Sequence, residues 1–382
     1  MLSRFTPIPV ILLATMVLGS ITGYSWTVFS LQLENSHVAT EWIGYAGTAQ
    51  LAAIVLITHL LPRFLYRINV FHLHILASLA GMVAFTGLGV VGTYLPLHIP
   101  LRLLLGCGLS GTYILYEYWL NSSVRDAHRG KVMALYCTSV VMGMSAGPML
   151  VPLLQSSPDA MFALGGALFA ITLALIATVR NQRPKSHETP PSASPWGIIF
   201  LSPTVAVIAL MFGMTESTYW SFMTIYGMRN GLSVEDAAWL LSLISMGGMV
   251  AQLPMGMMAD RFSPRFTVLF ATGVGAVGGV VLPHLITTAG MPLWLHMFMW
   301  GGIMTTIYTC AIIVLGHEHK AANLANATLA FQMMYGAGNI AGPIVTGHAI
   351  ETVGISTVPW VMGLACGVTF VFTAWRTIRR KI

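Results

Sequence analysis

Apolar runs long enough to cross a membrane recur from one end of this chain to the other, and no other feature restricts its fold as much. Breaks marked by charge, Pro and Gly divide the sequence into about twelve of them. They lie near residues 8–31, 41–61, 70–92, 97–121, 130–154 and 159–179, then 197–226, 236–258, 267–288, 292–316, 324–350 and 356–376. A transmembrane helix needs roughly 20 apolar residues, so 382 residues leave only short connections between the runs. Asp, Glu, Lys and Arg make up 8% of the chain, against about a quarter in an ordinary soluble domain. A water-facing surface cannot be built from so few charges. That excludes a cytosolic enzyme, a secreted disulfide scaffold and a disordered chain. The expected fold is all-α, with twelve transmembrane helices.

The first run follows Arg4 without a small-residue cleavage site and reads as a retained span. Cys107, Cys137, Cys310 and Cys366 all lie in apolar runs with no C-x-x-C pair, as small packing residues do. The longest polar stretch, NQRPKSHETPPSASP from Asn181 to Pro195, reads as a linker. It gives three segments: a six-helix bundle over 1–180, a cytoplasmic linker over 181–196, and a second six-helix bundle over 197–382. With the N-terminus placed in the cytoplasm, every one of the 18 Lys and Arg except Arg229 and Arg102 falls on the inner side. The outer loops collect Glu34, Glu41, Asp159, Glu235, Asp236 and Glu351 instead. The net charge of +6 is therefore a topology signal, and no nucleic-acid partner is needed. Both termini are expected in the cytoplasm.

The halves resemble each other at an offset of about 195 residues. Gly19 and Trp26 match Gly213 and Trp220; Gly143-Met-Ser-Ala-Gly147-Pro148 matches Gly338-Asn-Ile-Ala-Gly342-Pro343; Arg63-Phe-Leu-Tyr-Arg67 echoes Arg261-Phe-Ser-Pro-Arg265. A repeat of six spans gives both halves the same orientation, which is the architecture of rocker-type secondary transporters. The paired small residues let helices approach closely, and Pro148 and Pro343 kink them and loosen the backbone ladder.

Gly256-Met-Met-Ala-Asp260-Arg261-Phe-Ser-Pro-Arg265 resembles the G-x-x-x-D-R-x-x-x-R loop of the major facilitator superfamily. Arg102-Leu-Leu-Leu-Gly106-Cys-Gly108 is similar to that family's R-x-x-x-G-x-G motif, and the two Gly-Pro stretches resemble its fifth-span motif. Tyr116-Glu117, followed by Arg129-Gly-Lys-Val-Met-Ala-Leu-Tyr136, is similar to the YcaD-like branch of bacterial permeases, most of which have no assigned substrate. The resemblance covers the whole chain. It implies a monomeric, multi-pass transporter of the bacterial inner membrane that works by alternating access on a small-molecule substrate, without a cofactor or resident metal. It also implies a cytoplasmic gate built from Gly256, Asp260, Arg261 and Arg265, with Arg63, Arg67 and Arg129. Pro62 stands where the first loop of the family carries an acid, so only Asp260 is left to form the charged lock.

Three charges fall inside the spans, where each costs on the order of 2.5–3.5 kcal/mol on insertion scales. Glu216 lies mid-span beside Thr215, Ser217, Tyr219 and Trp220. A carboxyl at that depth can load and release a proton, although a purely structural hydrogen-bonded Glu is the alternative. Its repeat-mate is Thr22, close to Tyr24 and Trp26, so both first helices offer hydroxyls and aromatic rings at one depth. That composition suits a pocket for an amphipathic organic solute. Glu117 sits near the inner end of its span, with Tyr113 one turn before it as a hydrogen-bond partner. It reads either as a gate residue pairing with Arg125 or Arg129, or as a carboxylate that exchanges a proton or cation. Arg102, nearer the outer end, reads either as a snorkelling anchor or, by the family motif, as a cavity residue near a proton site.

Two other readings compete. The 24 methionines include the neighbouring pairs Met142/Met144, Met246/Met249, Met255/Met258 and Met333/Met334, and thioethers suit Cu(I). A copper-importing branch of the superfamily has a similar architecture. However, His37, His98, His284 and His317 lie at loops or span ends and no Met-x-x-x-Met marks the seventh span, which favours Met as adaptable filler. A permease-like receptor that does not transport is the other alternative, with short loops offering little docking surface. His317-Glu-His319-Lys320 misses the H-E-x-x-H spacing and reads as a cytoplasmic loop. No phosphate-binding loop occurs, so ATP is not the driving force, and no catalytic constellation has convincing spacing.

Overall fold

The computed structural model describes residues 7–65, 68–124, 126–182, 203–318 and 322–379. Within them twelve long helices follow one another without a strand. They are α1 (Pro7–Asn35), α2 (Thr40–Leu65), α3 (Val70–Val91), α4 (Leu95–Ser123), α5 (Asp126–Ala146) and α6 (Pro158–Thr178). After the connection come α7 (Pro203–Arg229), α8 (Val234–Arg261), α9 (Pro264–Leu285), α10 (Met291–Glu318), α11 (Ala322–Val353) and α12 (Thr357–Arg379). Lipid offers no hydrogen bonds, so each segment must satisfy its own backbone, and the helix is the solution. Most helices run past the apolar run that announces them, because the hydrogen-bond ladder continues into the polar boundary. His317 and Glu318, expected in a loop, lie in the last turn of α10 for this reason. His319 and Lys320 lie outside the described residues, as does most of the expected linker.

Side-chain caps set several starts. Asn69 Oδ1 accepts from the Phe71 N–H at 2.9 Å, Ser233 Oγ from Asp236 N–H at 3.0 Å and Ser263 Oγ from Phe266 N–H at 3.1 Å. Gly92, Gly231 and Gly354 take positive φ where the chain turns after α3, α7 and α11.

Among the described residues, nine helices are long and apolar enough by themselves to cross a membrane. The other three are α2, α7 and α11. Each carries polar side chains: Glu41 and Gln50 on α2, Glu216 among Thr215, Ser217 and Thr218 on α7, and Gln332 and Asn339 on α11. Most of these polar groups are turned inward. Gln50, Thr215, Ser217, Thr218 and Asn339 are all buried.

The contacts divide the chain into two compact units, one drawn from Met1–His37 and Ala49–Pro191, the other from Val38–Thr48 and Ser192–Ile382. The first nine residues of α2 thus cluster with the second unit. Within each unit the same pairs meet: α1 on α5 and α6, with α3 on α4 and α6, recur as α7 on α11 and α12, with α9 on α10 and α12. Gly143 and Gly338 show why the spacing repeats. A Cβ on Gly143 would collide with the Met16 carbonyl and lie 2.7 Å from Ser20 N; one on Gly338 would collide with the Leu210 carbonyl and lie 2.9 Å from Met214 N. Gly147 and Gly342 meet α1 and α7 in the same way. Large rings fill the remaining space: Tyr24, Phe29, Phe85 and Phe169 in the first unit, Phe222, Tyr226 and Phe331 in the second.

The two prolines behave differently from the expected matched kinks. Pro343 is carried inside α11, whereas α5 stops at Ala146 and Pro148 opens a short 3-10 turn, Pro148–Leu150. Proline cannot donate to the helical ladder and disfavours helix in the residue before it. In the first half Pro152 follows four residues later and repeats the interruption; the matching residue in the second half is Gly347.

Candidate functional site

In the second unit, Phe212, Thr215, Glu216, Tyr219 and Trp220 share one face of α7, at the three- and four-residue spacing of a helix. Glu216 is half-buried. Its carboxyl accepts a hydrogen bond from the Tyr335 hydroxyl on α11, and Tyr219 and Trp220 also reach it. Asn339, one turn beyond Tyr335, hydrogen-bonds Tyr335 in turn. Aromatic rings pack around Tyr335. Phe212 stacks on Tyr335 at 6.0 Å, Tyr308 meets Tyr335 edge-on at 5.4 Å, and Phe331 packs against Tyr308 at 5.2 Å. Gln332 Nε2 donates to the Tyr308 hydroxyl at 2.8 Å and extends the polar lining. Deeper along α7, Thr218 and Thr346 hydroxyls meet at 2.9 Å. The result is one carboxyl held by phenols, with Tyr335 itself packed among rings, a set of groups that can exchange a proton and stack a planar solute.

In the first unit Thr22 meets the Tyr113 hydroxyl at 3.0 Å. Tyr113 was expected to serve Glu117 one turn away, but its hydroxyl reaches across to α1, while Glu117 is exposed. Tyr24 is fully buried and donates to the Met161 carbonyl at 2.9 Å, stacked on Phe85 at 5.9 Å. Trp26 is buried as well, and Arg102 lies over it, 5.2 Å from its ring centroid and 4.6 Å from that of Phe29. A guanidinium 3% exposed between two rings is not an anchor snorkelling to water. His98 Nδ1, one turn before Arg102, lies 3.0 Å from the Gly92 carbonyl, and Gln32 Nε2 donates to the Leu88 carbonyl at 3.2 Å. Arg102 and Glu117 lie near opposite ends of α4, as the spacing requires.

The charged loop falls at the turn from α8 to α9. Asp260 and Arg261 are exposed, Arg261 sits 5.8 Å over the Phe262 ring, and Arg265 is half-buried. Gly256 has open space around its Cα. Arg67 lies outside the described residues, as do the side chains of Arg63 and Arg129, so the first-half gate is left as a sequence expectation. No group of three or more His, Cys, Asp or Glu converges on a common point among the described residues.

Several contributors escape a reading of the sequence. Tyr335 precedes the Gly338-Asn-Ile-Ala-Gly-Pro stretch by one turn, and its repeat-mate Val140 is apolar. Asn339 lies within the motif itself, where glycine and proline draw attention away from it. Phe29 sits in unremarkable apolar surroundings, and His98 draws notice in the sequence only as a metal-ligand candidate.

The family model of the Major Facilitator Superfamily matches residues 8–330 and 205–381. Among curated proteins, the chain is similar to the Uncharacterized MFS-type transporter YfkF of Bacillus subtilis (strain 168), 24% identical over 266 residues. That match spans 66% of this chain and 65% of that relative, so it falls just short of two thirds of the relative's length. The Uncharacterized MFS-type transporter YcaD of Escherichia coli (strain SMS-3-5 / SECEC) is 22% identical over 357 residues, covering 92% of this chain and 91% of its own. Among solved structures, nucleoside transporter NupG superposes with a TM-score of 0.80 at 16% identity, over 99% of this chain and 100% of that one. A D-xylose-proton symporter gives 0.71 at 14%, over 97% of each. Likeness at these identities is likeness of fold.

Proposed function

The chain belongs to the Major Facilitator Superfamily, a multi-pass membrane transporter and not an enzyme, and on that premise we propose that it moves a small organic solute across the bacterial cytoplasmic membrane by proton-coupled alternating access. The observation that carries this reading is the Glu216 carboxyl bound by Tyr335, whose own ring packs against Phe212, Tyr308 and Phe331. Glu216 loads the proton. Tyr219, Trp220 and Thr215 line the solute's path in the second half, Thr22, Tyr24 and Trp26 in the first. Arg102 and Glu117 assist the charge movement, and the Asp260–Arg261–Arg265 turn works with Arg63, Arg67 and Arg129 as the cytoplasmic gate. The protein acts as a monomer with both termini in the cytoplasm, its six-helix halves at 1–180 and 197–382 joined by the 181–196 linker.

The solute class follows from the chemistry of the groups around Tyr335. Aromatic faces with hydroxyl and amide rims suit an uncharged, ring-bearing polar molecule. A nucleoside transporter and a sugar–proton symporter share this fold, so nucleosides and sugars head the list to screen. The test is uptake into proteoliposomes under an imposed pH gradient, with the solute first identified by thermal stabilisation of the purified protein. Glu216→Gln is expected to lower gradient-driven uptake at least about tenfold while leaving solute exchange at equal pH in place. Unchanged gradient dependence in the variant would remove Glu216 from the proton path.

A further inference from the structure

The outer face of the second unit carries a groove of about 840 Å³ between α9 and α12. Ala276, Gly363 and Gly367 form its floor, and Leu364, Val368 and Val371 stand exposed along one wall. Trp360 and Trp375, each 45% exposed, mark its two ends. Both helices lie in the same unit and run antiparallel, with Gly279 against Gly363, Gly275 against Cys366 and Gly273 against Phe370. Arg376 and Arg379 lie at the Trp375 end, in the last turn of α12. Arg379 lies 4.6 Å over the Trp375 ring, one turn beyond the groove wall. The Nε of Arg376, one turn past the groove residue Phe372, is buried without a hydrogen-bond partner among the described residues. Neither α9 nor α12 contains a single Asp or Glu to answer these charges, and Arg380 and Lys381 follow in the sequence.

We propose that this groove holds one anionic phospholipid, its phosphate on Arg376 and Arg379 and an acyl chain along Gly367–Trp375. An apolar trench open to lipid would take any acyl chain. Arg376 and Arg379, without an ion-pair partner among the described residues, select the anion at one mouth, because guanidinium binds phosphate through paired charge-assisted hydrogen bonds. Basic clusters at the membrane surface attract anionic headgroups for the same reason. The dimensions agree. Eight residues from Gly367 to Trp375 rise about 12 Å, close to the ~15 Å of hydrocarbon in one leaflet. Trp375 then sits at headgroup depth, where indole rings concentrate, and holds Arg379 ready by stacking.

The experiment extracts the full-length protein from vesicles of equimolar phosphatidylglycerol and phosphatidylcholine into mild detergent and counts bound lipid by native mass spectrometry. One phosphatidylglycerol per chain is expected, favoured about tenfold over phosphatidylcholine. The Arg376→Gln/Arg379→Gln variant is expected to lower that preference below about threefold. Gly367→Leu, whose position has room for a side chain beside Ala276, should lower retention of either lipid by filling the trench. If the arginine variant does not fold, raising salt on the wild type from about 0.1 to 1 M should weaken the preference by screening. Equal retention of the two lipids, or a preference unmoved by both the double substitution and salt, overturns the proposal. So does displacement of the bound lipid by inorganic phosphate, which marks a free-anion site, and so does a dominant dimer mass in lipid-depleted protein, which marks a second copy as the occupant.

Discussion

Glu216 and Tyr335 lie 119 residues apart in sequence and share one hydrogen bond. The carboxyl keeps Tyr219 and Trp220 within reach if Tyr335 loses its hydroxyl. Tyr335→Phe is therefore expected to slow gradient-driven uptake severalfold, less than Glu216→Gln does, with the fold intact by circular dichroism. Arg102 permits a cleaner test of shape against charge. Lysine keeps the charge but cannot lie flat between Trp26 and Phe29, so Arg102→Lys should cost about 1–2 kcal/mol, read as a lower thermal midpoint. At this scale the sequence announces charges and conceals their partners. Glu216 stands out because a carboxylate is rare in an apolar run. Tyr335 does not, because its place opposite Glu216 depends on how closely α7 and α11 approach, which is a property of the packed helices.

Helix pairing was the more legible level. The Gly-x-x-x-Gly-Pro stretches identify the helices that approach most closely, and α1 with α5 and α7 with α11 meet through those glycines. What the repeat hid was the unequal fate of its prolines, decided by Pro152 four residues downstream of one of them. The glycines also differ in what they tolerate. Gly143→Leu or Gly338→Leu would drive a side chain into the facing backbone, and either is expected to abolish the monodisperse peak on size-exclusion chromatography. Gly256→Ala meets nothing within 4 Å and should leave thermal stability within about 0.5 kcal/mol of the wild type. A loss as large as that at Gly143 would show that the α8 terminus packs more tightly than its surroundings indicate.

For the molecule as a whole, the split of α2 between units has a measurable effect. The Thr40 N–H donates to Glu351, Arg229 donates to the Thr40 hydroxyl at 3.0 Å, and His348 contacts Glu41 at 3.2 Å and Tyr45 at 2.8 Å. Residues 183–382 expressed alone lack Thr40, Glu41 and Tyr45 and so all four contacts. Their yield in membranes and resistance to protease are expected to rise when residues 1–182 are co-expressed; equal recovery would mean that Val38–Thr48 adds nothing. Among the described residues nine helices satisfy the simple rule of length and apolarity, and α7, which carries Glu216, is not one of them. Biogenesis inherits this difference. As α7 leaves the ribosome it carries a carboxyl whose phenol partner lies on α11, roughly a hundred residues still to be translated, or about 5–20 s at cellular elongation rates. In that interval the translocon must shelter a segment that bilayer lipid alone would accept poorly.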